Sequence, residues 1–451
     1  MHPLRAPSDL DRIAAAIGPA RRVLYEDVHV YPLSAPNFTP AVGTERVRPS
    51  AGPLKLYVHV PFCNYACSFC FYAKRVGTPR AQMERYVAAL ARELAWIEPG
   101  SSLAQLYVGG GTPTALPSDL LETLLTVIFQ RLPPEAGATL TVESSPESLT
   151  QEHIRVFQRL GINRMSMGIQ TLDAGVLADL NRHHGVAETA LTACDRLRQA
   201  GFFVNVDLIY GLPGQDEEGF LRDLREVTTR LPHSLTLYNL RLNEHTPLAT
   251  VLSDVERLDL ACLMRWRAFV RQATAELGYT QTRWHTFVAP HALESSYDRA
   301  PCVDGFDLGR QLGIGMSAVS HLGHTVYRNH EGFESYLRRI EAGESPVDGV
   351  FSLGLDDRRT LFIARSLGDG QALDRQEYTD VFGRPIEDDF GTLLERLGAA
   401  GLVVDENGAL ALTDVGRLVY DLILLAFYPA HARRWLDARQ PLERRRTANA
   451  R

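Results

Sequence analysis

Three things are scarce in this 451-residue chain: cysteine, long apolar runs and surplus positive charge. There are six cysteines, at positions 63, 67, 70, 194, 262 and 302, too few over this length for a disulfide scaffold. No apolar stretch approaches the ~18–20 residues that a membrane-spanning helix needs. The first residues also lack the apolar core of a secretory signal. Lys and Arg number 47 against 54 Asp and Glu, a net charge of −7, which argues against a general nucleic-acid binder. The hydrophobic content of 45% and charged content of 22% are ordinary for a soluble globular protein. The expectation is a cytoplasmic monomer with no nucleic-acid or membrane partner. The length allows two or three structural units.

Half of the cysteines fall in one short run. Cys63, Cys67 and Cys70 have the spacing C-x3-C-x2-C, with the aromatic Phe69 immediately before the third. Three thiolates this close can hold three irons of a [4Fe–4S] cube and leave the fourth without a protein ligand. Ferredoxins close such a cube with a fourth cysteine, and none lies nearby here. An iron with an open position can bind a substrate or cofactor. The residues alone also allow a zinc site, although structural zinc usually takes four closed ligands, or ordinary buried thiols.

From about residue 54 short β-branched runs alternate with amphipathic helical stretches. Strands are expected at 56–60, 105–109, 139–143, 164–168, 203–207 and 234–238, and helices at 80–97, 120–131, 151–160, 186–200 and 216–230. That alternation implies βα units on a parallel sheet. Six units make a partial (β/α)6 TIM-type barrel of class α/β. An N-terminal arm spans 1–53, with a short helix at 10–17; the barrel spans 54–255, an extension and active-site cover 256–345, and a C-terminal module 346–451. Within the extension 255–280 is helical, 281–330 irregular with one short strand at 313–320. In the module, helices at 357–367 and 386–397 precede a hairpin at 402–412 that turns on Asn407-Gly408, and a last helix is expected at 414–427. Helices followed by a hairpin give a winged-helix-like unit, and the acidic balance favours a packing or lid role for it over DNA binding.

Polar and glycine residues gather where the strands end, which is where barrels of this type place function. Gly109, Gly110 and Gly111 follow the second strand and let backbone approach a ligand closely, and Thr112 is held extended by the following proline. Glu143, Gln170, Arg182, Asp207 and Arg241 stand at or just after strand ends. A carboxylate there can grip a ribose diol, and an arginine a carboxylate.

The segments Tyr57-Val-His-Val-Pro-Phe-Cys63, Gly109-Gly-Gly-Thr-Pro-Thr114, Asn163-Arg-Met-Ser-Met-Gly-Ile-Gln170 and Asn205-Val-Asp-Leu-Ile-Tyr-Gly-Leu-Pro-Gly-Gln215 resemble the radical S-adenosylmethionine superfamily, specifically the branch of the oxygen-independent coproporphyrinogen III dehydrogenases. Leu312-Gly-Ile-Gly-Met-Ser-Ala-Val-Ser320 and the C-terminal module extend the resemblance over most of 54–430. It implies that Cys63, Cys67 and Cys70 ligate a [4Fe–4S] cluster. It implies that Tyr57, Phe69, Gly110, Gly111, Thr112, Glu143, Gln170, Arg182, Asp207 and Arg241 line sites for two molecules of S-adenosylmethionine. It further implies a small-molecule substrate and an external electron donor of flavodoxin or ferredoxin type.

Three departures qualify that branch. The dehydrogenases carry a further cysteine just after the cluster motif, where this chain has Phe71 and Tyr72. Of their Tyr-Thr-Ser-Tyr-Pro stretch only Val30, Tyr31 and Pro32 remain reminiscent. The His-Asn pair followed by Tyr-Trp of the heme chaperones is missing. A third group on this scaffold, the class C radical methyltransferases and cyclopropane-forming relatives, transfers a one-carbon unit to an unsaturated substrate and needs a base. Phe71 and Tyr72 suit a flat substrate, or core packing equally well. His183, His184, His245 and His285 are the candidate bases, with His285 and His184 preferred. The expected function is methylation or cyclopropanation; the alternatives are oxidative decarboxylation of coproporphyrinogen III and heme binding by a chaperone.

Overall fold

The structure, a computed structural model, describes residues 7–17, 39–41, 47, 49–182, 187–242, 246–252, 260–292 and 310–438. Six parallel strands form its centre in sequence order: Pro53–Val60, Ser102–Gly110, Pro134–Ser144, Arg164–Gln170, Phe203–Tyr210 and Ser234–Asn239. Helices Arg80–Leu94, Ser118–Arg131, Gln151–Arg159, Ala187–Gln199 and Glu217–Thr229 connect them. The sheet continues at both sides. Arg310–Ile314 adds a seventh parallel strand beside the first, followed by the antiparallel Val319–Leu322, Thr325–Asn329, Val347–Ser352 and Thr39–Pro40. Thr286–Val288 and Thr280–Gln281 continue from the sixth. The thirteen strands form one open α/β sheet, with no closed barrel among the described residues.

Alternation along each strand separates two faces. In the fifth strand Val204, Val206 and Leu208 are fully buried against the helices, whose apolar faces supply Leu121, Leu124, Phe157, Leu197, Phe220 and Leu224. Burying each such side chain contributes about 1.5–3 kcal/mol. The intervening Asn205 and Asp207 join Ser166, Ser234 and Thr236 in a hydrogen-bonded network on the other face. Asn205 Oδ1 accepts from Ser234 Oγ (2.7 Å) and Thr236 Oγ1 (3.0 Å), and its Nδ2 donates to Asp207 Oδ1 (2.7 Å) and Ser166 Oγ (2.9 Å).

The C-terminal module packs around a second core, which also takes in residues outside it. Helices Leu355–Arg365, Arg375–Phe382 and Ile386–Ala399 lead into the antiparallel pair Val403–Glu406 and Ala409–Leu412. Asn407 and Gly408 both have positive φ (55° and 84°), as the two-residue hairpin requires. Two expectations are corrected. The stretch 414–427 is not one helix: a 3-10 turn at Gly416–Leu418 precedes Tyr420–Ala426, and Val419 (φ −133°, ψ 25°) breaks them apart. A Cβ on Gly416 would overlap the Leu402 carbonyl, so the 3-10 turn packs closely on the chain at the start of the hairpin. The stretch 313–320 is not one strand but two antiparallel ones around a turn in which Gly315 and Ser317 have φ 97° and 53°. Between 281 and 330 the described residues, 281–292 and 310–330, are less irregular than the sequence predicts.

Candidate active site

The cysteine loop follows the first strand and is tied down on several sides. Phe62–Cys63 pairs in parallel with Arg75–Val76, closing the loop at its base. Ser68 N donates to Leu180 O (3.0 Å), Ser68 O accepts from Leu248 N (2.9 Å), and Asn181 Nδ2 donates to Ala66 O (3.0 Å). Lys74 Nζ caps the Cys70 carbonyl at 2.8 Å. Phe69 is half-buried against the apolar cluster of Val176, Leu180, Ile209, Leu212 and Leu240, so it anchors the loop to the fold.

The glycine triplet braces the same loop. Gly111 N donates to Val60 O (2.8 Å) and Thr112 N to Phe62 O (2.7 Å). A Cβ would meet Glu143 Oε2 at 2.6 Å on Gly109, the His59 ring at 2.5 Å on Gly110, and Phe62 O at 2.7 Å on Gly111. The close approach expected of these glycines is therefore made, at all three positions, to the chain's own groups.

Each of the first two thiols has a side-chain donor. Thr112 Oγ1 lies 3.8 Å from Cys63 Sγ, and Arg182 Nη1 lies 3.6 Å from Cys67 Sγ. Burial pushes the Cys63 thiol up to about 11; the Thr112 hydroxyl opposes this, and Cys70 and Cys67 add to it. Burial also raises Cys70, against the pull of Lys74. Among the described residues no three His, Cys, Asp or Glu side chains converge tightly enough for a single metal ion. Binding a metal or cluster deprotonates thiols, so the donors at Thr112 and Lys74 act in the right direction.

Inside the sheet, Glu143 Oε1 accepts from Tyr107 OH (2.5 Å) and Oε2 from Gly110 N (3.2 Å). Burial pushes its carboxyl up to about 7, opposed by the Tyr107 hydroxyl and reinforced by Asp207. Asp207, likewise raised by burial, accepts from Ser166 Oγ (3.0 Å). Tyr57 OH donates to His59 Nδ1 (3.0 Å), because His59 Nε2 is committed to the Ala73 carbonyl (2.9 Å). The Tyr57 and Tyr107 rings stack with centroids 6.3 Å apart. Gln170 ends the fourth strand with φ 73° at a bulge, a conformation uncommon for a non-glycine residue. A Cβ on Gly168 would meet Gln170 Nε2 at 3.0 Å and Arg182 Nη2 at 3.7 Å, so both side chains lie over that glycine, and Arg182 also donates to its carbonyl.

The contacts gather these residues into two groups: Cys63 with Thr112 and Cys67 with Arg182 and Gln170 at the cysteine loop, and Tyr57, Tyr107, Glu143 and Asp207 inside the sheet. Arg241 stands apart at the lip after the sixth strand, where its Nη2 lies 2.9 Å from His285 Nε2. His183, His184 and His245 lie outside the described residues. Tyr107, His59 and Tyr420 were not anticipated. Tyr107 was within reach of sequence reasoning, since it pairs in register with Tyr57 on the adjacent strand. Phe71 and Tyr72, expected either to face a flat substrate or to pack in the core, stack on each other with centroids 4.6 Å apart, and Tyr72 is 56% exposed. No described helix is long and apolar enough to cross a membrane.

Residues 57–227 match the family described as the radical SAM superfamily. The heme chaperone HemW of Lactococcus lactis is 28% identical over 372 residues, 81% of this chain and 94% of its own length. The oxygen-independent coproporphyrinogen III oxidase of Paracoccus denitrificans is 31% identical, over 73% of this chain and 76% of its own. The solved structure of the coproporphyrinogen III oxidase HemN from Escherichia coli superposes with a TM-score of 0.73 at 27% identity, covering 84% of this chain and 90% of that one.

Proposed function

The chain belongs to the radical SAM superfamily, in its HemN-like branch, and from that premise we propose that it is an enzyme of oxidative decarboxylation acting on a coproporphyrinogen-type tetrapyrrole. The observation that carries this reading is extent. The likeness to the Escherichia coli oxidase runs over 84% of the chain, far more than the 57–227 of the family match. The relatives therefore favour a tetrapyrrole reaction over the one-carbon transfer to which the Phe71-Tyr72 departure pointed.

In this reading Cys63, Cys67 and Cys70 hold a [4Fe–4S] cluster. Tyr57, Gln170, Arg182 and the Gly110–Thr112 turn line one S-adenosylmethionine site, and Glu143, Asp207 and Arg241 extend the lining toward a second. Bound there, the cluster and S-adenosylmethionine would supply radical chemistry that the side chains cannot. The chain's own contribution is positioning and electrostatics. Arg182 spans Cys67 and Gly168 and so fixes the loop against the fourth strand. Glu143, held by Tyr107 and Gly110, offers a carboxylate of fixed direction to a hydroxyl pair. An external flavodoxin or ferredoxin delivers the electron.

A second reading rests on the stacked Phe71 and Tyr72 beside Cys70. They offer a flat aromatic face where the dehydrogenases carry a cysteine, which suits one-carbon transfer to an unsaturated substrate. The test is anaerobic reconstitution of the full chain, followed by dithionite, S-adenosylmethionine and coproporphyrinogen III. Deoxyadenosine and carbon dioxide formed in a porphyrinogen-dependent manner support decarboxylation. S-adenosylhomocysteine with deoxyadenosine, on flat unsaturated substrates only, replaces it with the second reading. Stoichiometric heme binding without turnover replaces both with a binding protein.

A further inference from the structure

The C-terminal module reaches the barrel lip through one tyrosine. Tyr420 is buried, its ring lies on Trp284 with centroids 3.3 Å apart and planes 13° off parallel, and its hydroxyl is 2.8 Å from His285 Nε2. Arg241 Nη2 is 2.9 Å from that same nitrogen and 3.5 Å from the Tyr420 hydroxyl. A guanidinium only donates, so Nε2 is an acceptor and the ring proton sits on Nδ1. Tyr420 then donates to Nε2 and accepts from Arg241. The three side chains close a triangle drawn from three segments: the end of the sixth strand, the loop before Thr286–Val288, and the module.

The module is what places the tyrosine. Arg267 donates to both carboxylate oxygens of Asp421, the next residue, at 2.9 and 2.7 Å, and its guanidinium carbon lies 4.6 Å from the centre of the Tyr420 ring. Trp284 and Met264, both outside the module, belong to the same apolar core as the module's Leu361, Ile363 and Leu424. The hydroxyl reaches His285 only when that core is assembled.

We propose that Tyr420 and His285 are positioning residues that fix Arg241 at the barrel lip for a carboxylate ligand, so that this part of the site is complete only with the C-terminal module docked. The inference rests on the reading of Arg241 as a ligand-lining residue. A free arginine samples many rotamers, and a planar fork already oriented loses less freedom on binding a carboxylate. Two ligands bring that chemistry: the methionyl end of S-adenosylmethionine and the acid side chains of a coproporphyrinogen-type substrate. It also reassigns His285, whose Nε2 lone pair faces Arg241 and Tyr420 and is therefore engaged in orientation, leaving proton abstraction to another group.

The experiment measures binding by the anaerobically reconstituted full chain. Equilibrium dialysis follows S-adenosylmethionine, and fluorescence quenching follows coproporphyrin III as the substrate probe. Tyr420→Phe and His285→Leu are each expected to weaken one of the two ligands about tenfold, the cost of one hydrogen bond to a charged group, and the ligand affected identifies the source of the carboxylate. His285→Gln restores an acceptor for Arg241 and should stay within about twofold of the unaltered chain. The melting temperature of Tyr420→Phe should not move, because the Trp284 stack and the Arg267–Asp421 fork remain. Unchanged affinity for both ligands in Tyr420→Phe and His285→Leu overturns the inference alone, as does a Gln variant as weak as the Leu variant. An unaltered chain that takes up neither ligand overturns the functional reading and the inference with it.

Discussion

Gly111 has ordinary negative φ, so nothing in its own backbone demands glycine; its neighbours do. A methyl group there would sit 2.7 Å from Phe62 O and Pro61 C, and backbone cannot swing aside as a side-chain tip can. Gly111→Ala should therefore destabilise by about 2 kcal/mol through overpacking and displace Cys63, two residues beyond Pro61. Thermal unfolding and iron content after reconstitution check both effects, and a fully iron-loaded variant of normal stability would remove the bracing role. Gly391→Ala is the contrast. It lies inside helix Ile386–Ala399 with nothing within 4 Å of the added carbon, and should stabilise by about 0.5–1 kcal/mol. At this scale the cysteine trio was legible because its signal is spacing, which the chain carries by itself. The glycine triplet was legible as a demand for closeness but not as to what comes close. The Tyr420–His285–Arg241 triangle could not be read at all, since its members lie 135 and 44 residues apart in sequence and meet only when the module docks.

At the scale of elements, helix Arg80–Leu94 has the amphipathic pattern its sequence predicts, except that its buried face carries a carboxylate. Glu93 accepts from Gly315 N (2.9 Å), Tyr336 OH (2.6 Å) and Asn329 Nδ2 (2.9 Å), and so pins the turn after Arg310–Ile314, the strand Thr325–Asn329 and the helix Phe333–Glu341 to one point. Burial pushes its pKa from 4.5 up to about 7, with the three donors opposing. A raised carboxyl binds more protons folded than unfolded. Its contribution is thus complete below pH 4.5 and is lost as pH rises through about 7, to the extent of roughly 3 kcal/mol or less. Glu143, also raised to about 7, acts with the same sign. Glu93→Gln should therefore flatten, without abolishing, the decline in melting temperature between pH 5 and pH 8; an unchanged pH profile would show that Glu93 does not titrate in this range. The six central strands and their helices were legible because a two-residue period on β-branched runs alternates with helical periodicity. The antiparallel strands Val319–Leu322, Thr325–Asn329 and Val347–Ser352 were not, because they are short and owe their conformation to one another and to Glu93.

Over the whole molecule, an open sheet with a polar inner face needs something to shield it, and the C-terminal module is fastened to the edge where the sixth strand ends. Its winged arrangement turns inward, since its apolar core takes in Met264 and Trp284 from outside the module and Ile13, Ala16 and Ile17 from the N-terminal helix Pro7–Ile17. Inside that junction lies an ion pair, Arg267 and Asp421, with side chains only 5% and 16% exposed. Arg267 also donates to Leu418 O (2.9 Å) and Asn239 Oδ1 (3.3 Å), so a single guanidinium ties the module to the end of the sixth strand. Buried pairs are poor evidence of net stabilisation, but removing one partner strands the other. Arg267→Met should cost about 3–5 kcal/mol, and should expose the segment joining the module to limited proteolysis before the barrel unfolds. The double variant Arg267→Met with Asp421→Leu leaves no stranded charge and should recover at least half of that loss, a coupling read from the double-mutant cycle. If the two single losses merely add, the pair does not act as a unit, and the docking of the module rests on its apolar core alone.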